Sequence, residues 1–429
     1  MISALGYRLL LWLSFPLLLA RLWWRGRKEP GYRQDIGQRF GCYRREAPGR
    51  VKTIWLHAVS VGETRAVEPL VRALRQRYPD HRLLITHMTA TGRQAARQLY
   101  GTLPDVEFAW LPYDYPSAMR RFLARFRPAL AVIMETEIWP NLLSECKRAG
   151  VPVVLANARL SETSARNYRK LGALAGRALG DFSAIAAQTE GDARRLMELG
   201  ADESKVSITG NLKFDVALPA APSGAGLRKI IGERPILLAA STREGEEVLV
   251  LDAMAKHPLP PNTLLLVVPR HPQRFDQVAR LLEQRGLRYS RRSALPEASA
   301  ELPMDVSVLL GDSMGEMPNY YSAADCAYIG GSLLPFGGQN LIEACALGVP
   351  VLIGPHTFNF AEAAEKAVNT GAALRVENAD EMLLRAVELL NDESRRKKMR
   401  EAGLAFVQVH RGATVRTLAI CVQLLASCA

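Results

Sequence analysis

Residues 328–355, YIGGSLLPFGGQNLIEACALGVPVLIGP, read as one βαβ unit around which the rest of the chain is arranged. The apolar run CAYIG, residues 326–330, has the length of a buried strand, and VPVLIG, residues 349–354, has the length of a second. The spacing predicts a helix between them, opening near Gln339 and Asn340. Gly330, Gly331, Gly337 and Gly338 let the loop backbone approach a ligand closely, and a helix start there would point free N–H groups at an anion. Glu343 falls in the expected first turn, where a carboxylate can accept hydrogen bonds from sugar hydroxyls. The combination suggests a nucleotide. A tight turn followed by an acid that complements the helix dipole would explain the same residues.

With 429 residues the chain is too long for one ordinary core and suits two domains. Hydrophobic residues make up 48% and charged residues 23%, a globular composition. The formal charge of +12 is concentrated at the start, where the first fifty positions hold ten Lys or Arg against Glu29, Asp35 and Glu46. Cys42, Cys146, Cys326, Cys345, Cys421 and Cys428 form no CxxC pair and no metal-type spacing, as expected of reduced thiols in a cytosolic catalytic part.

Residues 4–28, ALGYRLLLWLSFPLLLARLWWRGRK, form the one stretch with membrane character. The apolar run is short and is interrupted by Arg8 and Pro16, which allows a tilted span, an interfacial helix or a signal peptide. No small-x-small cleavage site follows. Trp23, Trp24, Arg25, Arg27 and Lys28 resemble an interfacial belt with a positive cytoplasmic flank, so an uncleaved anchor is expected; a buried helix is the alternative. Arg33, Arg39, Arg44, Arg45 and Arg50 would then lie near anionic headgroups.

From Thr53 onward strand, loop and helix alternate. TIWLHAV (53–59), RLLITHM (82–88), ALAVIME (129–135), VPVVLAN (151–157) and AIAAQT (184–189) read as strands, and VSITGNLKFD closes the series. Residues 216–232, rich in Pro, Ala and Gly, read as a linker. The alternation resumes with ILLAAS (236–241), TLLLVVP (263–269) and VSVLLGD (306–312), and from Asp380 the chain is helical. Two doubly wound parallel sheets are expected, with ligands from both halves meeting in a cleft at the carboxyl ends of the strands. The domain limits are 1–28 for the anchor, 29–215 for the first Rossmann-like domain, 216–232 for the linker and 233–429 for the second.

Candidate chemical groups cluster at strand ends. Glu63 of SVGE can act as a general base toward a hydroxyl, or can simply be the acid of a helix start. Glu135 and Glu137 in METEIWP stand two apart, hence on one side if the strand continues. No third oxygen ligand accompanies them, which favours orientation and charge stabilisation over a metal. Lys213 in GNLKFD and Arg270 with His271 in PRHPQRF are cations suited to a leaving phosphate, or surface cations. Met314, Gly315 and Glu316 of GDSMGE can present backbone groups to a base.

These motifs together, HAVSVGE, LPYD, METEIWPNL, NARLS, AAQTEGD, GNLKFD, PRHPQRF, GDSMGE, GGSLLPFGGQNLIEA and GPHTFNF, occur in order over nearly the whole chain, which resembles the 3-deoxy-D-manno-octulosonic acid (Kdo) transferases of lipid A assembly. The resemblance implies a GT-B glycosyltransferase, inverting and metal-independent, needing no cofactor. Its partners would be CMP-Kdo, a lipid A precursor such as lipid IVA, and the cytoplasmic face of the inner membrane, with no nucleic acid. By the same resemblance Glu63 is the base, and Glu135 and Lys213 stabilise the transition state. Arg270, His271, Met314, Gly315, Glu316, Asn340, Leu341, Ile342 and Glu343 hold CMP. Another GT-B nucleotide-sugar enzyme, or a two-lobed binding protein, is the competing expectation.

Overall fold

The computed structural model describes residues 3–43, 51–215, 224–295 and 301–427. Arg44, Arg45, Arg50, Cys428 and residues 216–223 of the expected linker lie outside them. The chain divides into two compact units, residues 1–215 with 411–429, and residues 216–410.

The first unit is built on seven strands: β1 (Thr53–His57), β2 (Arg82–His87), β3 (Val106–Trp110), β4 (Pro128–Met134), β5 (Val153–Ala158), β6 (Ala184–Ala187) and β7 (Val206–Ile208). Their order is β3-β2-β1-β4-β5-β6-β7, every pair parallel. Alternate side chains feed opposite faces. Trp55, Leu84, Ile133 and Leu155 enter one apolar cluster, while Ile54, Leu56, Val132 and Val154 enter the other. Both faces are covered, so the strands read as continuous apolar runs rather than alternating ones.

The second unit repeats the plan with β8 (Ile236–Thr242), β9 (Leu264–Pro269), β10 (Tyr289–Arg291), β11 (Val308–Leu310), β12 (Cys326–Ile329), β13 (Val351–Ile353) and β14 (Ala373–Arg375). The order is β10-β11-β9-β8-β12-β13-β14, again parallel. In each sheet the chain winds outward on one side of the first strand and later returns to its other side. The switch points therefore lie between β1 and β4 and between β8 and β12, where doubly wound sheets bind ligands.

Three features differ from the sequence expectation. Residues 224–231 form a helix, Gly224–Ile231, rather than linker, fixed where Arg228 Nη2 donates to Asp325 Oδ2 at 2.7 Å. The last helix, Ala413–Ser427, belongs to the first unit and not the second. Its Ala413, Cys421 and Leu425 join the cluster of Ile54 and Leu56, and Asp215 accepts from the N–H groups of Gly412 (2.7 Å) and Thr414 (2.5 Å). The helix of the opening βαβ unit is Ile342–Ala346, starting two residues later than expected.

The N-terminal stretch forms two helices, Ala4–Leu13 and Phe15–Lys28. Among the described residues no single helix is long and apolar enough to cross a membrane; the pair Leu5–Leu13 and Phe15–Arg27 passes that test together, bent by 47°. It is not a buried helix, since Leu5, Leu9, Leu10, Trp12, Leu13, Leu17, Trp23 and Trp24 are all exposed. The first helix is nonetheless tied down. Tyr7 Oη donates to Asp114 Oδ2 (2.9 Å), Arg8 Nε to Asn141 Oδ1 (3.1 Å), and Trp12 and Phe15 lie against Tyr115.

Candidate active site

At the end of β1, Ser60 caps the helix Val61–Ala66 and Glu63 is its third residue. This is a variant of the capping box, in which the carboxylate reaches the N–H of Val59, one residue before the cap, instead of that of Ser60. The Glu63 N–H donates to Ser60 Oγ (3.3 Å), Ser60 Oγ donates back to Glu63 Oε1 (2.8 Å), and the Val59 N–H donates to Oε2 (2.8 Å). The capping role and the chemical role thus coincide in one side chain. Glu63 is 8% exposed, and burial first, then the charge of Glu135, raises its pKa from 4.5 to about 7 against the pull of those two hydrogen bonds. A carboxyl titrating there can both take a proton and keep useful basicity at neutral pH.

Glu135 reaches Glu63 by a route the sequence did not suggest. It follows β4 with φ +59°, a left-handed conformation uncommon outside glycine, and its N–H donates to Ala156 O of β5 (2.9 Å). The strand's alternation has ended there, so two-residue spacing is not what groups the acids. The turn does so. Glu135 and Glu137 both add to the burial that raises Glu63; burial first, then Glu135, raises Glu137, whose Oε2 accepts from Trp139 Nε1 at 2.6 Å. Backbone strain at such a turn is kept where a side chain must be aimed.

Lys213 lies in the turn Leu212–Phe214 after β7. That turn is hung on Asn157 of β5, itself left-handed (φ +53°) and fully buried: the Leu212 N–H donates to Asn157 Oδ1 at 3.0 Å, and Gln188 Nε2 donates to Asn157 O at 2.9 Å. Asn157 belongs to NARLS, quoted above without a role. His57, at the end of β1, also had none. It is fully buried, its Nδ1 bonds to Thr86 Oγ1 (2.9 Å), and burial followed by the neighbouring His87 lowers its pKa to about 3. It is a neutral imidazole beside Trp139.

In the second unit the predicted donor residues surround the β8–β12 switch point. Arg270 follows β9 and donates from Nε to Gln339 Oε1 (3.1 Å), joining the β9 end to the glycine loop. His271 precedes the turn Pro272–Arg274; burial first, then Arg243, Arg270 and Arg274, lower its pKa. After β11, Met314 is exposed, Gly315 has φ +84°, and Glu316 accepts from Arg292 Nη2 (2.9 Å) and from Ser313 Oγ. Asn340 Oδ1 accepts the Ile342 N–H (3.1 Å), and Asn340 Nδ2 donates to Glu343 Oε1 (2.9 Å). The expected free N–H groups at the helix start are therefore fewer, because the helix is one short turn and Asn340 already takes the Ile342 N–H. Leu341 and Ile342 have buried side chains, which leaves only their backbone for a ligand.

The sequence reading missed Glu246 in STREGEE, residues 241–247. Its carboxylate, fully buried, accepts from the N–H groups of Arg243 (2.8 Å), Gly331 (2.6 Å) and Leu333 (3.1 Å) and from Tyr328 Oη (2.5 Å). One side chain so fixes the loop after β8 to the glycine loop after β12. Glu247 forms a second buried anchor, taking both guanidinium nitrogens of Arg274 (2.7 and 2.8 Å) and Thr242 Oγ1 (2.6 Å). Adjacent acids right after a strand were the available signal.

Among the described residues no group of three or more His, Cys, Asp or Glu is arranged to hold a metal ion.

Residues 34–216 match the family model described as 3-deoxy-D-manno-octulosonic-acid transferase (kdotransferase), and residues 248–405 match glycosyl transferases group 1. A 3-deoxy-D-manno-octulosonic acid transferase of Bordetella pertussis is 46% identical over 413 residues, covering 94% of this chain and 95% of the relative. One from Haemophilus influenzae is 39% identical, with 96% of each chain covered. Among solved structures, a glycosyltransferase from Rickettsia africae superposes with TM-score 0.57 at 15% identity, covering 88% of this chain and 99% of its own. A UDP-N-acetylglucosamine 2-epimerase does so with TM-score 0.52 at 14% identity, covering 82% and 91%. At those identities the shared feature is the fold, the GT-B arrangement of two Rossmann-like units.

Proposed function

The chain belongs to the 3-deoxy-D-manno-octulosonic acid transferase family and is a glycosyltransferase; from that premise we propose that it transfers Kdo from CMP-Kdo to a lipid A precursor such as lipid IVA, at the cytoplasmic face of the inner membrane. The observation that carries this reading is Glu63, a buried carboxyl with a pKa raised to about 7 at the switch point of the first sheet. Such a group removes the proton of an acceptor hydroxyl as it attacks the anomeric carbon. CMP departs from the opposite side and the configuration inverts. That carbon is fully substituted, so the transition state is oxocarbenium-like and depends on positioning and charge. Glu135 and Lys213 stabilise it, and Arg270 with His271 and the Met314–Glu316 and Asn340–Glu343 segments hold CMP. No metal is assigned a step.

The membrane assignment is supported by the N-terminal pair of helices. Nine large apolar side chains are exposed there together, and Arg21, Arg25 and Arg27 stand beside Trp23 and Trp24. The pair is tied to the unit that carries Glu63, which keeps that unit at the lipid surface where the acceptor resides. The purified full-length protein is expected to float with vesicles containing anionic lipid and to remain behind without them. Mass spectrometry of the glycolipid after incubation with CMP-Kdo tests the reaction and counts the sugars added. Transfer from a UDP-sugar but not from CMP-Kdo would replace this reading with another GT-B chemistry.

A further inference from the structure

Arg243 follows β8 and has no place in the donor set described so far. Its backbone N–H is held by Glu246, and its guanidinium carbon lies 4.7 Å from the centre of the Phe336 ring. The planar group is thus fixed on the glycine loop. Its Cγ lies 3.4 Å from where a Cβ on Gly331 would stand, and Gln339 Nε2 lies 3.2 Å from the same point. Gln339 in turn receives Arg270 Nε. Arg243 and the Arg270–Gln339 pair therefore flank one stretch of backbone that carries no side chain and has φ +72°.

The charges around it are unbalanced. Arg274 is clasped by Glu247, and Arg292 by Glu316. Among the described residues no carboxylate forms an ion pair with Arg243, although Arg270 and Arg274 are close enough for all three to act on His271. Arg243 thus adds a half-buried positive charge beside Arg270 and Arg274, and an entering anion would relieve the repulsion among them.

On the functional reading above, on which this inference rests, the donor brings two anionic groups: the phosphate and the carboxylate of the octulosonic acid, which is attached to the reacting carbon itself. We propose that Arg243 is a donor-binding residue that grips the sugar carboxylate, beside the phosphate held by Arg270. A guanidinium held over an aromatic ring suits bidentate pairing with a carboxylate, which a flexible ammonium does not reproduce. Its position makes it a specificity residue, one that separates acidic sugar donors from neutral ones.

The test uses full-length Arg243→Gln and Arg243→Lys with thermal melts to check folding, CMP binding by calorimetry, and KM and kcat with CMP-Kdo. Losing a charge-assisted pair corresponds to about 10- to 100-fold. Arg243→Gln is expected to raise KM for CMP-Kdo by about that factor while leaving CMP affinity within about twofold, and Arg243→Lys to restore only part of the loss. Equal weakening of CMP and CMP-Kdo would assign Arg243 to the phosphate and overturn the proposal; so would no change in either. Wild-type protein that neither binds nor uses CMP-Kdo would bring down the functional reading and this assignment together, whereas wild-type turnover with an unmoved Arg243→Gln sinks the assignment alone.

Discussion

Glu63 and Glu246 occupy the same topological place, just past the first strand of each sheet, yet they are held in opposite ways. Glu63 receives two hydrogen bonds and faces two further acids, so its ionised form is under-supported. Glu246 receives four, three of them from backbone N–H groups of two different loops. A buried carboxylate with a full set of donors is scaffold; one left short of donors beside like charges is a base in waiting. The same fold position thus serves chemistry in one unit and architecture in the other, and the count of donors decides which.

That contrast is most exposed to failure at Glu63. Glu63→Gln keeps the shape and the Ser60 contact but cannot take a proton, so kcat should fall by about 10²- to 10⁴-fold with CMP binding kept. Stability should move the other way. Because the folded pKa is raised from 4.5 to about 7, the native state holds a proton that the unfolded chain has lost in that window. Native stability therefore falls as pH rises from 4.5 to 7, by about 1.4 kcal/mol per unit for a fully shifted group. The glutamine removes this loss, and its melting temperature at pH 8 should exceed that of the wild type. Near-wild-type turnover would end the base assignment.

Glu246→Ala should give the converse profile. Three N–H groups and a phenol lose their acceptor, which costs at least about 3 kcal/mol, measured by denaturant unfolding. In whatever protein remains folded, donor KM should suffer more than kcat. A stable Glu246→Ala whose only defect is kcat would erase the distinction drawn between the two glutamates.

A subtler effect sharpens the first of these. Removing the Glu135 charge in Glu135→Gln lowers the Glu63 pKa, so the acid limb of the kcat profile, expected near pH 7, should shift to lower pH by up to about one unit. The shift is separable from the drop in rate that loss of a transition-state contact would bring. An unmoved limb would mean that Glu135 does not act on the base electrostatically. Acid unfolding has a different origin: His57 is kept neutral, so stability is lost as pH falls below 6.5 toward about 3, whichever glutamate is altered.

Much of this was legible in order along the chain. Apolar runs marked eleven of the fourteen strands, because interior strands of a parallel sheet are buried on both faces. β10 and β14 escaped because they are three-residue edge strands, YSR and ALR, without an all-apolar signature, and β3 because only Ala109 and Trp110 of it are buried. The last helix was assigned to the wrong unit because an amphipathic helix does not state which core it will cover. Glu135 was found for a reason the structure does not support, since its φ of +59° breaks the alternation on which the pairing was argued.

The sequence by itself determined the alternation of elements, hence two parallel sheets, and by its ordered motifs it determined the family. Those are properties of neighbours in the chain, where periodicity and short strings carry the information. Only the tertiary structure decided which buried acid is short of hydrogen-bond donors, which arginine lacks a carboxylate partner among the described residues, and which strand end bends into a left-handed turn. Burial and charge compensation are sums over groups brought from distant positions: the donors to Glu246 come from residues 243, 328, 331 and 333, and no local pattern records that meeting.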